Sequence, residues 1–143
     1  MKKLARSILF LSTLAAASAL APAFAETIKY KADLSSASEV PPNDTGAKGM
    51  IEATYDDAAG TLSWSGSYSG LSGPAIAAHF HGPAAVGVNA PVLVPVDAKA
   101  SPFEGSAKIT ADQAKDFADG NVYFNVHTAK NKGGEIRGQM AKE

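Results

Sequence analysis

Period-two alternation runs through nearly all of the chain after residue 26 and limits it to a fold of half-buried strands. In Ile28-Lys29-Tyr30-Lys31-Ala32-Asp33-Leu34 apolar residues alternate with charged ones, and side chains two apart on a strand share a face. Ile51, Ala53 and Tyr55 mark one face of a second strand. Leu62, Trp64, Gly66 and Tyr68 mark one face of a third, against Thr61, Ser63, Ser65 and Ser67. Asp56-Asp57-Ala58-Ala59-Gly60 between them reads as the turn of a hairpin. Residues 76–81, 92–96, 103–109, 122–127 and 136–140 supply further short strands. Pro95 marks 92–96 as an edge strand or strand end, because proline donates no ladder hydrogen bond.

One helix interrupts the pattern. Thr110-Ala111-Asp112-Gln113 has the spacing of a capping box, in which Thr110 accepts from the Gln113 amide and Gln113 reaches back. Ala114, Phe117 and Ala118 give this helix a short apolar face, and Gly120 suits the residue just past its end. Seven or eight short strands and one short helix predict an all-β fold, an antiparallel sandwich or barrel.

The first 25 residues obey a different rule. Lys2, Lys3 and Arg6 are followed by an uncharged apolar run from Ser7 to Ala21, then Pro22 and Ala23-Phe24-Ala25. This is the three-part pattern of a secretory signal peptide, with cleavage expected after Ala25. The run is shorter and richer in Ala and Ser than the ~20 residues of a spanning helix, so no membrane span is expected once it is removed. The expected organisation is therefore residues 1–25 as leader and 26–143 as a single β domain, periplasmic or secreted. Without Lys2, Lys3 and Arg6, 10 of the 13 basic residues remain against 14 acidic ones, a net charge of −4. That balance offers nothing to nucleic acid or anionic lipid. The chain has no cysteine, so export brings no disulfide.

Three histidines carry the sharpest chemical signal. His79 and His81 are two apart on one strand and project from one face, while Ala78 and Phe80 take the other. His127 ends another strand and shares a face with Tyr123 and Asn125. If the two strands are close, three imidazoles can meet at one ion, and imidazole in an exported protein suits copper or zinc. The same residues also suit a plainer role, holding loop carbonyls or a carboxylate such as Glu39, Asp97 or Glu135. A second cluster is Lys132-Gly133-Gly134-Glu135-Ile136-Arg137-Gly138-Gln139. It reads as a turn followed by a polar strand face on which Glu135 and Arg137 pair, or on which Arg137 binds an anion beside the histidines. No Gly-x-Ser-x-Gly element and no phosphate-binding loop is present.

Taken in order, Glu39-Val40-Pro41-Pro42, Ala78-His79-Phe80-His81-Gly82-Pro83-Ala84, Gly120 through Thr128 and Gly133-Gly134-Glu135-Ile136-Arg137-Gly138-Gln139 closely resemble the CHRD, or chordin-type, domain in its single-domain exported bacterial form. Lys132 stands where that family usually has proline. The resemblance implies an immunoglobulin-like β-sandwich and, by analogy with the chordin modules, an extracytoplasmic binding partner. It places all three histidines in family motifs. The expected functions are a small binding module holding copper or zinc at His79, His81 and His127, with Arg137, Glu135 and Asn125 around the site; a metal-free interaction domain; or a copper-dependent redox activity resembling superoxide dismutase.

Overall fold

The computed structural model describes residues 26–143; the expected leader, residues 1–25, lies outside the described residues. The strands are β1 (Thr27–Ser35), β2 (Lys48–Asp56), β3 (Thr61–Ser69), β4 (Ala75–His81), β5 (Val92–Val96), β6 (Phe103–Lys108), β7 (Tyr123–Thr128), β8 (Ile136–Gln139) and β9 (Ala141–Lys142). Among the described residues a single 3-10 turn occupies Ser36–Ser38, and the one helix, α1, spans Ala111–Ala118. The helix begins as its sequence dictates: Gln113 N donates to Thr110 Oγ1 at 3.2 Å and Thr110 N donates to Gln113 Oε1 at 2.9 Å. Gly120 follows its end with φ +72°, a conformation that glycine adopts without strain.

All pairings are antiparallel, and eight strands run in the order β5-β4-β7-β8-β1-β2-β3-β6, with β9 beside β1. The two-sheet immunoglobulin-like packing expected from the sequence is not confirmed. The strands form one continuous sheet that curls until it nearly closes into a barrel. Its two halves, β5-β4-β7-β8 and β1-β2-β3-β6, meet where Ser35 of β1 pairs with Arg137 of β8. Alternation fixes which face of a strand is buried, but not which strand lies beside it, so this junction is invisible in the pattern. β5 lies at one end of the sheet, the first of the two places that Pro95 suggests.

The interior is aromatic. Phe80 of β4 meets Trp64 of β3 edge-on at 5.5 Å, Phe124 of β7 at 5.0 Å and Phe117 of α1 at 5.4 Å. Phe117 also packs on Tyr30 of β1, so the helix ties both halves of the sheet to one cluster. Ala78, Phe80, Phe124, Val126 and Ile136 all face this core and are fully buried. Their neighbours at alternate positions on β4, β7 and β8 therefore face outward.

The approach of β8 to β1 is close. A Cβ on Gly138 would lie 2.2 Å from the Asp33 carbonyl oxygen, which is backbone and cannot move aside. Gly138→Ala is expected to part these strands and lower the unfolding free energy by about 2 kcal/mol or more, read as a fall in the urea midpoint at unchanged slope.

Candidate metal centre

The outward face of β4, β7 and β8 is polar, yet it is covered. Antiparallel register aligns His79 with Asn125 and Asn125 with Arg137; one row on, His81 lies opposite Tyr123 and Tyr123 opposite Gln139. His127 lies opposite Ala77. Directly paired residues point to the same side, so His79, His81, Tyr123, Asn125, His127, Arg137 and Gln139 share one face. Asn125 and Arg137 are each 2 % exposed and His81 and His127 each 8 %, so this face is a second, polar interior.

Loops provide the cover, and each is tied down by hydrogen bonds from the face. Across the 82–91 loop, His81 Nδ1 bonds the Ala90 carbonyl at 2.9 Å, Arg137 Nη1 donates to Asn89 Oδ1 at 2.8 Å and Arg137 Nη2 donates to the Val88 carbonyl. Gln139 Nε2 donates to the carbonyls of Ala84 and Gly120. In the loop before β8, His127 Nδ1 bonds the Lys132 carbonyl at 2.8 Å. Three flat groups stack through the middle. The Arg137 guanidinium lies 3.3 Å from the centre of the Tyr123 ring, and Tyr123 lies parallel to His81 with centroids 4.8 Å apart.

The three histidines come together as the register requires. His79 is diagonal to His127 across the β4–β7 pair, and Ala77, directly opposite His127, leaves room for the two rings to meet. His79 Nδ1 and His127 Nε2 are 3.1 Å apart, and one ring nitrogen from each of the three residues lies within 4.8 Å of the other two. The carbonyl bonds fix the tautomers. A carbonyl oxygen only accepts, so His81 and His127 both carry a proton on Nδ1, and in the neutral ring the lone pair is then at Nε2. His81 Nε2 is buried without a hydrogen-bond partner. Burial, with like-charge repulsion from His127 and His81, pushes the pKa of His79 below the usual histidine value. Burial likewise lowers that of His81 against the opposing pull of the Ala90 carbonyl. Both rings are thereby held neutral, the form that binds metal.

A donor set of this kind fits a small divalent ion. Imidazole nitrogens bound at 2.0–2.1 Å around a tetrahedral centre are about 3.4 Å apart. The His79–His127 pair is already close to that distance, and the three ligand atoms all lie within 4.8 Å of one another. His79 is the ring free to swing: it is only partly buried and bonds no carbonyl. It also borders a surface cleft of about 310 Å³ with Ile76, Asp97 and Lys99, an approach from solvent. A larger concavity, about 520 Å³, lies between Met50, Glu52, Ser67 and Glu104 on the β2-β3-β6 half of the sheet and has no histidine in its lining.

The other sequence candidates fall differently. Arg137 lies beneath the covering loop, its guanidinium engaged by Tyr123, Val88 and Asn89. Glu135 precedes β8 and makes no ion pair with Arg137. Its carboxylate, fully buried, accepts from Ser72 N, Ser72 Oγ, Thr128 Oγ1 and Asn131 Nδ2. Glu39 does not bond a histidine; it is buried beside Asn125 and Arg137, and burial raises its carboxyl to about 7 against the pull of Val40 N–H, Arg137 and Asn125. Asp97 is exposed and accepts from Lys99 N. Sequence reasoning missed Tyr123 as the stacking layer and the carbonyls of Ala90 and Lys132 as tautomer anchors. Backbone partners of this kind leave no trace in residue identity.

The CHRD-domain family model matches residues 30–140 of the chain. Neither a curated protein nor a solved structure matches it.

Glu135 makes a pH prediction. Burial opposes its ionisation, but hydrogen bonds from Ser72, Thr128 and Asn131 outweigh burial and hold the carboxyl at about 2, below its ordinary 4.5. A depressed carboxyl stabilises the fold above the unfolded value and loses that contribution as pH falls through the folded one. Stability is expected to drop between about pH 4.5 and 2, by about 3 kcal/mol. In Glu135→Gln the acid limb of the unfolding free energy, measured by urea titration at each pH, flattens over this range.

Proposed function

The chain belongs to the CHRD-domain family, and from that premise we propose that it is an exported binding module that holds one copper or zinc ion through His79, His81 and His127. The observation that carries this reading is His81 Nε2, a buried lone pair with no partner, on a ring whose other nitrogen is committed to the Ala90 carbonyl. An apolar or hydrogen-bonded interior leaves no such atom unpaired without cost. A cation shared with His127 Nε2 and His79 pairs it. Carbonyl anchoring of the non-ligating nitrogen is what metal-bound histidines use to fix ring and tautomer. Export follows from the leader pattern of residues 1–25 and puts the protein in the periplasm or outside the cell, where copper and zinc are the imidazole-seeking ions to meet.

A second reading has its own observation. The bonds from His81 to Ala90 and from His127 to Lys132 lock two loops whether or not a metal is bound. The immunoglobulin-like class and an extracytoplasmic protein partner belong with this reading. Redox chemistry of the superoxide dismutase type asks for a cation facing the metal, and Arg137 is committed elsewhere beneath the 82–91 loop.

Calorimetric titration of the protein with copper(II) and with zinc tests the proposal. One ion per chain, bound more tightly than about 1 μM and lost in His79→Ala/His81→Ala, is the expected result. No binding, with the double variant markedly destabilised, leaves the loop-locking reading.

A further inference from the structure

We infer that the site has a fourth protein ligand, the side-chain oxygen of Asn125, so that the ion is enclosed by three imidazoles and one amide. This rests on the metal reading above and adds to it. Asn125 is 2 % exposed and its Oδ1 is buried without a hydrogen-bond partner. It lies opposite His79 on the paired strand and two residues before His127 on the same face. Its amide nitrogen points the other way, toward the Gly133 carbonyl at 3.5 Å and the Glu39 carboxyl. Gly134 makes that orientation possible: a Cβ there would sit 2.2 Å from Glu39 Oε1 and 2.7 Å from Asn125 Nδ2.

With the nitrogen held on that side, the oxygen is turned away from Gly133, on the face that Asn125 shares with His79, His81 and His127. Two buried acceptors on this face, Asn125 Oδ1 and His81 Nε2, therefore lack a donor. A positive centre between them satisfies both. A divalent ion there also meets ring nitrogens of His127 and His79. The resulting set of three nitrogens and one neutral oxygen, closed by protein on four sides, is the coordination of a holding site. Its hard oxygen favours zinc or copper(II) over copper(I).

Cobalt(II) reports ligand number and type directly, because only four-coordinate cobalt absorbs strongly in the visible range. In the wild-type protein the intense four-coordinate spectrum is expected. Asn125→Asp keeps that intensity with a shifted band, since a carboxylate replaces the amide oxygen. Asn125→Ala puts water in place of the amide oxygen, shifts the band and binds cobalt at least about tenfold less tightly. An identical spectrum in wild type and Asn125→Ala overturns the inference while leaving the three histidines as ligands. A weak wild-type spectrum overturns it as well. If Asn125→Ala does not fold, an unshifted band in Asn125→Asp is sufficient to overturn it. Cobalt that fails to bind the wild-type protein overturns the metal reading itself, and this inference with it.

Discussion

Strand β7 is buried on both faces, and the rest of the site depends on how its outer face is satisfied. The inner residues, Phe124 and Val126, join the aromatic core. The outer ones, Tyr123, Asn125 and His127, are buried as well and are polar. Burying such groups costs several kcal/mol in total unless each finds a partner. Most of the partners are carbonyls of covering loops that have no regular structure of their own. The 82–91 loop is held at Ala84, Val88, Asn89 and Ala90 by His81 of β4, Tyr123 of β7 and Arg137 and Gln139 of β8. The polar face therefore orders the loops, and the loops in turn orient the face.

That reciprocity gives the histidines their chemistry. An isolated imidazole exchanges between tautomers and rotates freely. Here the Ala90 and Lys132 carbonyls remove both freedoms from His81 and His127, and stacking on Tyr123, itself backed by Arg137, sets the plane of His81. The arrangement is preorganised: binding an ion need not first order the rings. Only His79 keeps latitude, and it is the ring on the solvent side. Arg137 acts within this scheme as a structural cation, spending its charge on a ring face and two oxygens.

Much of this was legible in the sequence. The hairpin of β2 and β3, the capping box at Thr110 and the shared face of His79 and His81 follow from spacing alone, and Pro95 points to an edge or strand end for β5; that His127 joins the other two depends on β4 lying beside β7. Other features were not legible because they depend on pairing and on backbone atoms. The junction of Ser35 with Arg137 turns two potential sheets into one, and period two carries no information about partners. β9 is two residues long, too short for any period. Glu135 looked like the ionic partner of Arg137 because both lie in one polar run; the strand begins only at Ile136, and Glu135 turns instead to Ser72, 63 residues away in sequence. Gly134 reads as a turn glycine, while its lack of a side chain also makes room for Glu39 and Asn125.

The central claim is that loop carbonyls preset the ring nitrogens of His81 and His127 before any ion arrives. Long-range proton–nitrogen NMR of the metal-free protein tests it without reference to affinity or activity, since protonated and lone-pair ring nitrogens resonate far apart. The account predicts that both residues carry a proton on Nδ1. A lone pair found on Nδ1 of either ring, or rapid exchange between tautomers, would contradict it.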